Sequence, residues 1–238
     1  MTARQPRQRL AFALDYPSVA QARAGAARVR DAVGVLKVGL ELFVREGPAA
    51  LALGAELGCD VFLDLKLHDI PETVERAVAS ATSHGVRYLT LHAGGGRRML
   101  EQAARRAEGS GLVLLAVTVL TSLDDADLAD VGVSAGASAQ AERLALLARD
   151  SGVHGLVCSV QEVARLRALL GPSAVLVTPG IRPAAGASDD QKRTGTPGAA
   201  IRAGASLLVV GRPIRDSSDP LGTAQAIVRE IAEAEGAG

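Results

Sequence analysis

The chain has 238 residues, of which 48% are hydrophobic and 22% are charged, and its formal net charge at pH 7 is +0. This composition predicts a soluble globular protein with enough apolar residues for one large domain or two small ones. The balanced charge, together with only two Tyr, three Phe and no Trp, argues against nucleic acid as the main partner.

The N-terminal residues 1–9 are polar, so we expect a flexible N-terminal segment and not a signal peptide. Elsewhere no apolar run approaches the ~20 residues that cross a bilayer. Cys59 and Cys158 each lie in an apolar stretch, far apart in the sequence, which favours reduced core thiols over a disulfide framework. These features predict a cytoplasmic protein that does not bind membranes.

Apolar, β-branched runs alternate along the chain with amphipathic segments rich in Ala, Arg and Leu. The predicted strands cover residues 10–15, 35–40, 61–67, 88–92, 113–120, 155–159, 174–178 and 207–211. The predicted helices cover residues 18–31, 47–57, 71–84, 97–108, 139–150, 160–170, 197–203 and 224–234. This alternation predicts an α/β fold, a (β/α)8 TIM barrel with a single domain over residues 10–238. The alternative is an open doubly wound sheet, but no G-x-G-x-x-G motif follows the first strand.

Residues 61–73 join a predicted strand to a predicted helix and carry closely spaced charges. Because side chains two apart in a strand share a face, Asp64 and Lys66 should point the same way. Asp69 follows, and Pro71 is typical of the first turn of a helix. One interpretation is a structural ion pair, with Asp69 as the N-cap of a capping box. The other interpretation is that these residues are catalytic, since burying a charge costs free energy and such charges are seldom retained without a function.

The scarcity of lysine in the chain favours a catalytic role for the lysines that lie in strands. Only three of the 26 basic residues are Lys, at positions 37, 66 and 192, and the remainder are Arg. Lys37 and Lys66 nevertheless lie within apolar strand patterns. Lysine is a compact charge that can give up a proton, whereas arginine cannot. A genome-wide bias would explain the excess of Arg but not these two exceptions.

Polar residues also gather where the predicted strands end, which is where a barrel of this type places its active site. In chain order they are Asp15, Lys37 with Gly39, Asp64 with Lys66, Thr90 with His92, Thr121 with Ser122, Arg182, and Gly211 with Arg212. The last two strands suit a phosphate group, which arginine binds bidentately. Asp15 has an alternative role in turn formation, Thr121 and Ser122 have one in helix capping, and the histidines at 68, 84 and 92 are interpreted as structural.

A long segment without apolar periodicity, residues 183–195, lies between the seventh strand and the next helix. Long unpatterned loops within compact domains are often active-site lids. Its position beside the predicted phosphate site favours a lid over an ordinary surface loop.

The chain closely resembles the orotidine 5′-phosphate decarboxylase family. The main signature is D-x-K-x-x-D-I-P-x-T at residues 64–73. Supporting motifs are Ala-Leu-Asp-Tyr at 13–16, Lys-Val-Gly at 37–39, Val-Thr-Val-Leu-Thr-Ser at 117–122, Thr-Pro-Gly-Ile-Arg-Pro at 178–183, Asp-Gln-Lys-Arg at 190–193 and Gly-Arg-Pro at 211–213. The resemblance covers residues 10–220, and none of the positions that the family uses for chemistry departs from its pattern.

The resemblance implies a homodimer with shared active sites that converts orotidine 5′-phosphate to UMP and CO2 without metal or organic cofactor. It implies that Lys66 protonates C6 while Asp64 lies near the departing carboxylate. Lys37 and Asp69 would complete an alternating array of lysines and aspartates. Asp69 would act in the partner's site, together with the two other residues of that segment, Ile70 and Thr73.

The resemblance also assigns residues to substrate binding. Asp15 would bind the ribose hydroxyls with Lys37 nearby, and Thr121 would contact the base or its pocket. Arg212 and the backbone of Gly211 would hold the phosphate. The two remaining residues are Gln191, which would bridge phosphate and pyrimidine, and Arg182, which would touch substrate or anchor the lid.

Two other functions remain open. One is a related barrel, a metal-dependent keto-gulonate-phosphate decarboxylase or hexulose-phosphate synthase, in which the carboxylates would hold Mg²⁺. The Ile70-Pro71-x-Thr73 continuation and Gln191 argue against it. The other is a catalytically inactive barrel that binds phosphate ligands or serves in assembly, which the intact set of lysines and aspartates disfavours.

Overall fold

The computed structural model describes residues 5–182 and 194–236. Its parallel strands form a closed barrel in which β8 pairs with β1. The strands are β1 Leu10–Ala13, β2 Val35–Gly39, β3 Asp60–Leu67, β4 Tyr88–His92, β5 Val113–Val117, β6 Gly155–Val157, β7 Val175–Thr178 and β8 Leu207–Val210. The predicted α/β class and TIM-barrel architecture are confirmed.

Helices connect each strand to the next around the barrel. They are α1 Val19–Ala27, α2 Leu40–Glu46, α3 Ala52–Leu57, α4 Pro71–Ser83, α5 Arg97–Ala107, α6 Asp125–Asp130, α7 Gly136–Asp150, α8 Val160–Leu170, α9 Pro197–Arg202, α10 Arg212–Arg215 and α11 Pro220–Gly236. Short 3-10 turns lie at Pro6–Arg9, Gly47–Leu51 and Ala93–Gly95. Among the described helices none is long and apolar enough to cross a membrane.

The strands bury both faces, so the protein has two apolar layers. One layer fills the barrel itself, where Phe62 and Tyr88 pack edge to face with ring centroids 6.0 Å apart. The other lies between the strands and the helices and takes the alternate residues, such as Leu63 and Leu89. A side chain two positions beyond an inward-facing residue therefore also points inward, towards the C-terminal mouth of the barrel.

The structure differs from the prediction mainly in short helices. The residues after β2 form a helix at Leu40–Glu46 where no helix was predicted, and the helix predicted at 47–57 begins as a 3-10 turn. Neither α6 nor α10 was predicted, because helices of six and four residues contain too few turns to establish a periodicity. Asp124 caps α6 in a capping box with Asp127, so Thr121 and Ser122 do not have that role.

Within the N-terminal stretch 1–9, residues Pro6–Arg9 form one 3-10 turn. The guanidinium group of Arg9 donates to the backbone oxygens of Ala205 and Ser206, and Arg9 also pairs with Glu235 on α11. These contacts join the start of β1 to the loop before β8. They lie at the N-terminal end of the barrel, opposite the mouth.

Candidate active site

A cavity opens at the C-terminal mouth of the barrel. Side chains from β1, β2, β3 and the segments after β5, β7 and β8 line it. The lining includes eight of the residues singled out in the sequence, which are Asp15, Lys37, Asp64, Lys66, Thr121, Arg182, Gly211 and Arg212. Inward-facing apolar residues such as Phe62 and Val177 form its floor, so the charged groups lie above an apolar surface.

An ion-pair network connects β2 and β3 at the centre of the cavity. The Lys66 Nζ lies 2.9 Å from Asp64 Oδ1, and the Lys37 Nζ lies 3.6 Å from Asp64 Oδ2. Lys37 also lies 3.5 Å from Asp15 Oδ1. The predicted common face of Asp64 and Lys66 is confirmed, since both side chains line the cavity. One carboxylate therefore separates two ammonium groups.

The environment of Asp64 favours its charged form. Burial by itself would raise the pKa of this carboxyl, but Lys37 and Lys66 lower it, and hydrogen bonds from Lys66 and Thr90 add to their effect. The net result is a pKa below the ordinary value of 3.8. Asp64 is consequently an anion at neutral pH, and it stabilises the charge of both lysines.

The backbone at Lys66 is in the left-handed region, with φ of 51°. It is the one non-glycine residue with positive φ in the described part of the chain, and this conformation costs roughly 1–2 kcal/mol in an L-residue. The β3–β4 register is interrupted nearby, because Leu63 pairs with Leu89 whereas Leu67 pairs with Leu91. The bulge redirects β3 next to the cavity, as bulges near active sites commonly do.

Two histidines lie beside this bulge. The rings of His68 and His92 are 5.5 Å apart, and His92 is half-buried. Burial lowers the pKa of His92, and the nearby His68 and Lys66 lower it further. His92 is therefore neutral at pH 7 and adds no positive charge next to Lys66.

Two glycines make room for the Asp15 carboxylate between β1, β2 and β8. A Cβ at Gly39 would lie 3.0 Å from Lys37 Nζ and 3.6 Å from Asp15 Oδ1. A Cβ at Gly211 would lie 3.3 Å from Asp15 Oδ2 and 3.2 Å from the Cβ of Ala13. A side chain at either position would displace the Asp15–Lys37 pair, which explains why small residues surround it.

The segments after β7 and β8 bring two arginines to the same side of the mouth. Arg212 is the first residue of α10, and Arg182 follows β7. A parallel bridge between Ile181 and Gly195 joins the two flanks of segment 183–193. Gln191, the predicted lid residue, lies outside the described residues, as does the predicted lid apart from its last two positions.

The third wall of the cavity is mostly apolar. Thr121 is half-buried there, next to Val119 and Leu120. Cys158, a buried thiol directly after β6, also lines the cavity, and it packs in the core as interpreted from the sequence. Because Val157 faces into the barrel, strand alternation would turn the next residue outward, so the strand pattern contains no signal that Cys158 reaches the cavity. An apolar wall of this kind can pack against the face of a planar ring.

Asp69, Ile70 and Thr73 lie apart from this cavity. Among the described residues, the lining does not include them, and all three are exposed on the rim. The predicted capping role of Asp69 is wrong. Because Pro71 is the first helical residue, Ile70 occupies the N-cap, and the Asp69 carboxylate accepts instead from the Ile70 backbone N at 2.6 Å.

Exposed apolar side chains surround this part of the rim. Leu40 and Val44 are 51% and 79% exposed on one face of α2, and Ile70 is 65% exposed before α4. Since β2 and β3 are neighbours, α2 and the start of α4 follow adjacent strand ends. Exposed apolar patches of this kind mark protein interfaces more often than isolated apolar residues do.

The donor groups in the site favour electrostatics over metal binding. In residues 5–182 and 194–236, no group of three or more His, Cys, Asp or Glu side chains is placed to hold a metal ion. The two carboxylates of the cavity, Asp15 and Asp64, both face Lys37. The arrangement is suited to placing ammonium groups against a substrate anion.

Comparison with known proteins assigns this architecture to a family. Residues 8–227 match the family described as Orotidine 5'-phosphate decarboxylase / HUMPS. The chain is 54% identical to an orotidine 5′-phosphate decarboxylase of Anaeromyxobacter sp. (strain K), over 94% of this chain and 98% of that protein. It is 53% identical to one of Chromohalobacter salexigens, over 94% and 96%. A crystal structure of orotidine 5′-phosphate decarboxylase from Lactobacillus acidophilus aligns with a TM-score of 0.81 at 34% identity, over 94% of this chain and 99% of that one.

Proposed function

The chain belongs to the orotidine 5′-phosphate decarboxylase / HUMPS family, and from this premise we infer that it converts orotidine 5′-phosphate to UMP and CO2. The reaction is the decarboxylation step of pyrimidine nucleotide synthesis. The observation that carries the inference is the Lys37–Asp64–Lys66 network in the mouth of the barrel. The network would supply a proton donor and fixed charges above the apolar floor of the cavity, which is what loss of a carboxylate from a ring carbon requires.

We propose that Lys66 is the proton donor to C6. The bond between C6 and the carboxylate breaks, its electron pair stays on C6, and CO2 leaves. An N–H bond of the Lys66 ammonium group then breaks and its proton goes to C6, which gives UMP. An ammonium group held at this position would stabilise the developing negative charge before the proton moves, so it acts electrostatically as well as by proton transfer.

Asp64 would hold this donor in place. Its contacts to the Nζ atoms of Lys37 and Lys66, at 3.6 and 2.9 Å, support such a role. A carboxylate in this position would also face the carboxylate of the substrate, and the two negative charges would oppose each other until CO2 departs. Lys37 and Asp69 would complete the alternating array of charges in the assembled site.

The remaining lining residues would bind the nucleotide. Asp15 would accept hydrogen bonds from the ribose hydroxyls beside Lys37, and Arg212 with the Gly211 backbone would hold the phosphate. Phosphate contacts far from C6 provide binding energy that orients the ring. Three further contacts are proposed, Thr121 with the base, Gln191 with phosphate and pyrimidine, and Arg182 with the substrate or the lid.

We propose a homodimer with shared active sites. Asp69, Ile70 and Thr73 lie outside their own cavity and are exposed, so they are available to a second copy of the chain. The exposed Leu40 and Val44 extend the same part of the rim. Burying such side chains in a dimer would stabilise the association, since each fully buried aliphatic side chain contributes about 1.5–3 kcal/mol.

No metal or organic cofactor is assigned to the reaction. We also propose a cytoplasmic location, which agrees with the reduced state of Cys59 and Cys158. Neither membranes nor nucleic acid are proposed as partners.

The direct test is to add purified protein to orotidine 5′-phosphate and follow the fall in substrate absorbance. UMP and CO2 should appear in equal amounts, measured by chromatography and by trapping the gas. Turnover of a sugar phosphate in place of orotidine 5′-phosphate would overturn the proposed function and favour the metal-dependent barrels of the family.

A further inference from the structure

We propose that Thr90 on β4 is a positioning residue for the decarboxylation, because its hydroxyl group holds both the Asp64 carboxylate and the backbone of Lys66. This proposal rests on the proposed function. Thr90 itself is fully buried behind these residues and does not line the cavity. Its effect would therefore be exerted through Asp64 and Lys66, not by contact with the substrate.

The bulge in β3 creates the need for this hydroxyl group. Between Leu63 and Leu67 the strand has two more residues than β4 has between Leu89 and Leu91. Backbone groups within such a bulge lose their partners in the regular ladder. The backbone N–H of Lys66 instead donates to Thr90 Oγ1 at 2.9 Å. A side-chain oxygen thus replaces a backbone carbonyl at the residue with φ of 51°.

The same hydroxyl group makes a second hydrogen bond, in which it is the donor. Thr90 Oγ1 donates its proton to Asp64 Oδ1, also at 2.9 Å. That oxygen accepts from Lys66 Nζ as well, so the three residues form a closed ring of hydrogen bonds: the Thr90 hydroxyl group and the Lys66 ammonium group both donate to Asp64 Oδ1, and the Lys66 backbone N–H donates to Thr90 Oγ1. Each link limits the rotation of the next.

A hydroxyl group is needed for this ring because it donates one hydrogen bond and accepts others at the same atom. A valine at position 90 would keep the shape of the side chain and remove both bonds. The Lys66 N–H would then be unpaired, and the Asp64 carboxylate would lose one of its donors. Misplacement of a reacting group by about 1 Å can reduce a rate by about 100-fold.

The experiment compares Thr90→Val, Thr90→Ser and a matched control, Thr178→Val. Thr178 is also fully buried at the end of a barrel strand, but its hydroxyl group has no hydrogen-bond partner among the described residues. For each variant, kcat and KM for orotidine 5′-phosphate, the Kd for UMP by calorimetry, and the midpoint of thermal unfolding are measured.

We expect T90V to lower kcat by about tenfold to 100-fold while the Kd for UMP changes by less than about threefold. T90S should recover kcat to within about threefold of the wild type, and T178V should match it. If T90V does not fold, T90C, whose thiol is only a weak donor and acceptor, takes its place with the same thresholds.

An unchanged kcat in T90V, or a T90S variant as slow as T90V, would overturn the positioning role. Equal losses of kcat in T90V and T178V would also overturn it, since they would indicate a general effect of polar-to-apolar exchange in the core. Failure of the wild-type protein to consume orotidine 5′-phosphate is a separate result, which contradicts the proposed function itself.

Discussion

The guanidinium group of Arg215 donates a hydrogen bond from Nη1 to the backbone oxygen of Asp15 at 2.9 Å. Arg215 is the last residue of α10, just after Gly211 and Arg212, whereas Asp15 follows β1 at the other end of the sequence. Asp216 orients the guanidinium group by pairing with it at 2.6 Å. The contact therefore links the proposed ribose-binding residue to the proposed phosphate-binding turn.

Arg215→Ala should raise the KM for orotidine 5′-phosphate by about tenfold with little change in kcat. A hydrogen bond from a charged donor contributes about 1.5 kcal/mol, which corresponds to that factor. Arg215→Lys should show a smaller increase. Arg165→Ala is the control, because Arg165 is an exposed arginine that pairs with Glu142 between α7 and α8, and neither residue lines the cavity. Steady-state kinetics of the three variants provides the comparison, and an R215A enzyme with wild-type KM would contradict the link.

Lys66→Ala should lower kcat by at least about 1000-fold, because a positioned general acid contributes about 100-fold to 10,000-fold and its electrostatic effect is lost as well. The Kd for UMP should change far less, since phosphate and ribose contacts remain. Lys66→Arg is the matched variant: it keeps the positive charge beside Asp64 but cannot release its proton at neutral pH. Substantial turnover by K66R would show that charge alone suffices and would exclude proton donation by this residue.

Asp64→Asn should destabilise the fold at pH 7, because it leaves Lys37 and Lys66 without their shared anion. Removing one partner of a buried ion pair costs about 3–5 kcal/mol. Urea unfolding measures the change, and Asp60→Asn is the control on the same strand, since Asp60 is exposed and should change stability by less than about 0.5 kcal/mol.

The wild type and D64N should also differ in how their free energies of unfolding change with pH in acid. Because the folded pKa of Asp64 lies below its ordinary value of 3.8, the unfolded chain takes up its proton first as the pH falls. The stabilisation is complete above the ordinary value and is lost as the pH drops through the folded pKa. The free energy of unfolding of the wild type should therefore decline more steeply than that of D64N below about pH 4. Parallel slopes for the two proteins would indicate that Asp64 has no depressed pKa.

Excess EDTA should leave the decarboxylation rate unchanged, because the proposed chemistry uses ammonium groups and no metal ion. Dialysis against chelator followed by the absorbance assay, with and without added Mg²⁺, makes the measurement. Complete loss of activity that returns with Mg²⁺ would favour a mechanism like that of the metal-dependent sugar-phosphate enzymes. In such a site the carboxylates would hold the ion, since Mg²⁺ binds oxygen ligands.

The sequence was sufficient to predict which charged residues line the centre of the cavity, because the signals for them are local. Lys37, Asp64 and Lys66 are charged residues within apolar strands, and strand parity alone predicts that they face inward. Asp15 and Arg212 follow strand ends, which a closed barrel brings to one mouth. Each of these residues lines the cavity.

What the sequence could not provide depends on pairing between strands. The bulge opposite Thr90 exists only because β3 and β4 align with unequal numbers of residues, and no pattern within β3 reveals this. One interpretation of the sequence placed the N-cap of α4 at Asp69 because Asp69 and Glu72 have capping-box spacing, whereas Pro71 with its fixed φ is the first helical residue and Ile70 is the N-cap. Short helices such as α2, a seven-residue helix in which Leu42 is the buried residue, contain too few turns to establish a periodicity of their own.

The pairing of β1 with β8 also determines when the protein can become active during synthesis. β1 begins at Leu10 and β8 ends at Val210, so the first strand of the barrel to be synthesised must wait for the eighth before the two can pair. Until then β1 exposes unpaired backbone groups, and Asp15 and Arg212 have not yet been brought together. The proposed nucleotide site can therefore assemble only after β8 has been made, and a nascent chain that stops before β8 keeps an open, aggregation-prone edge on β1.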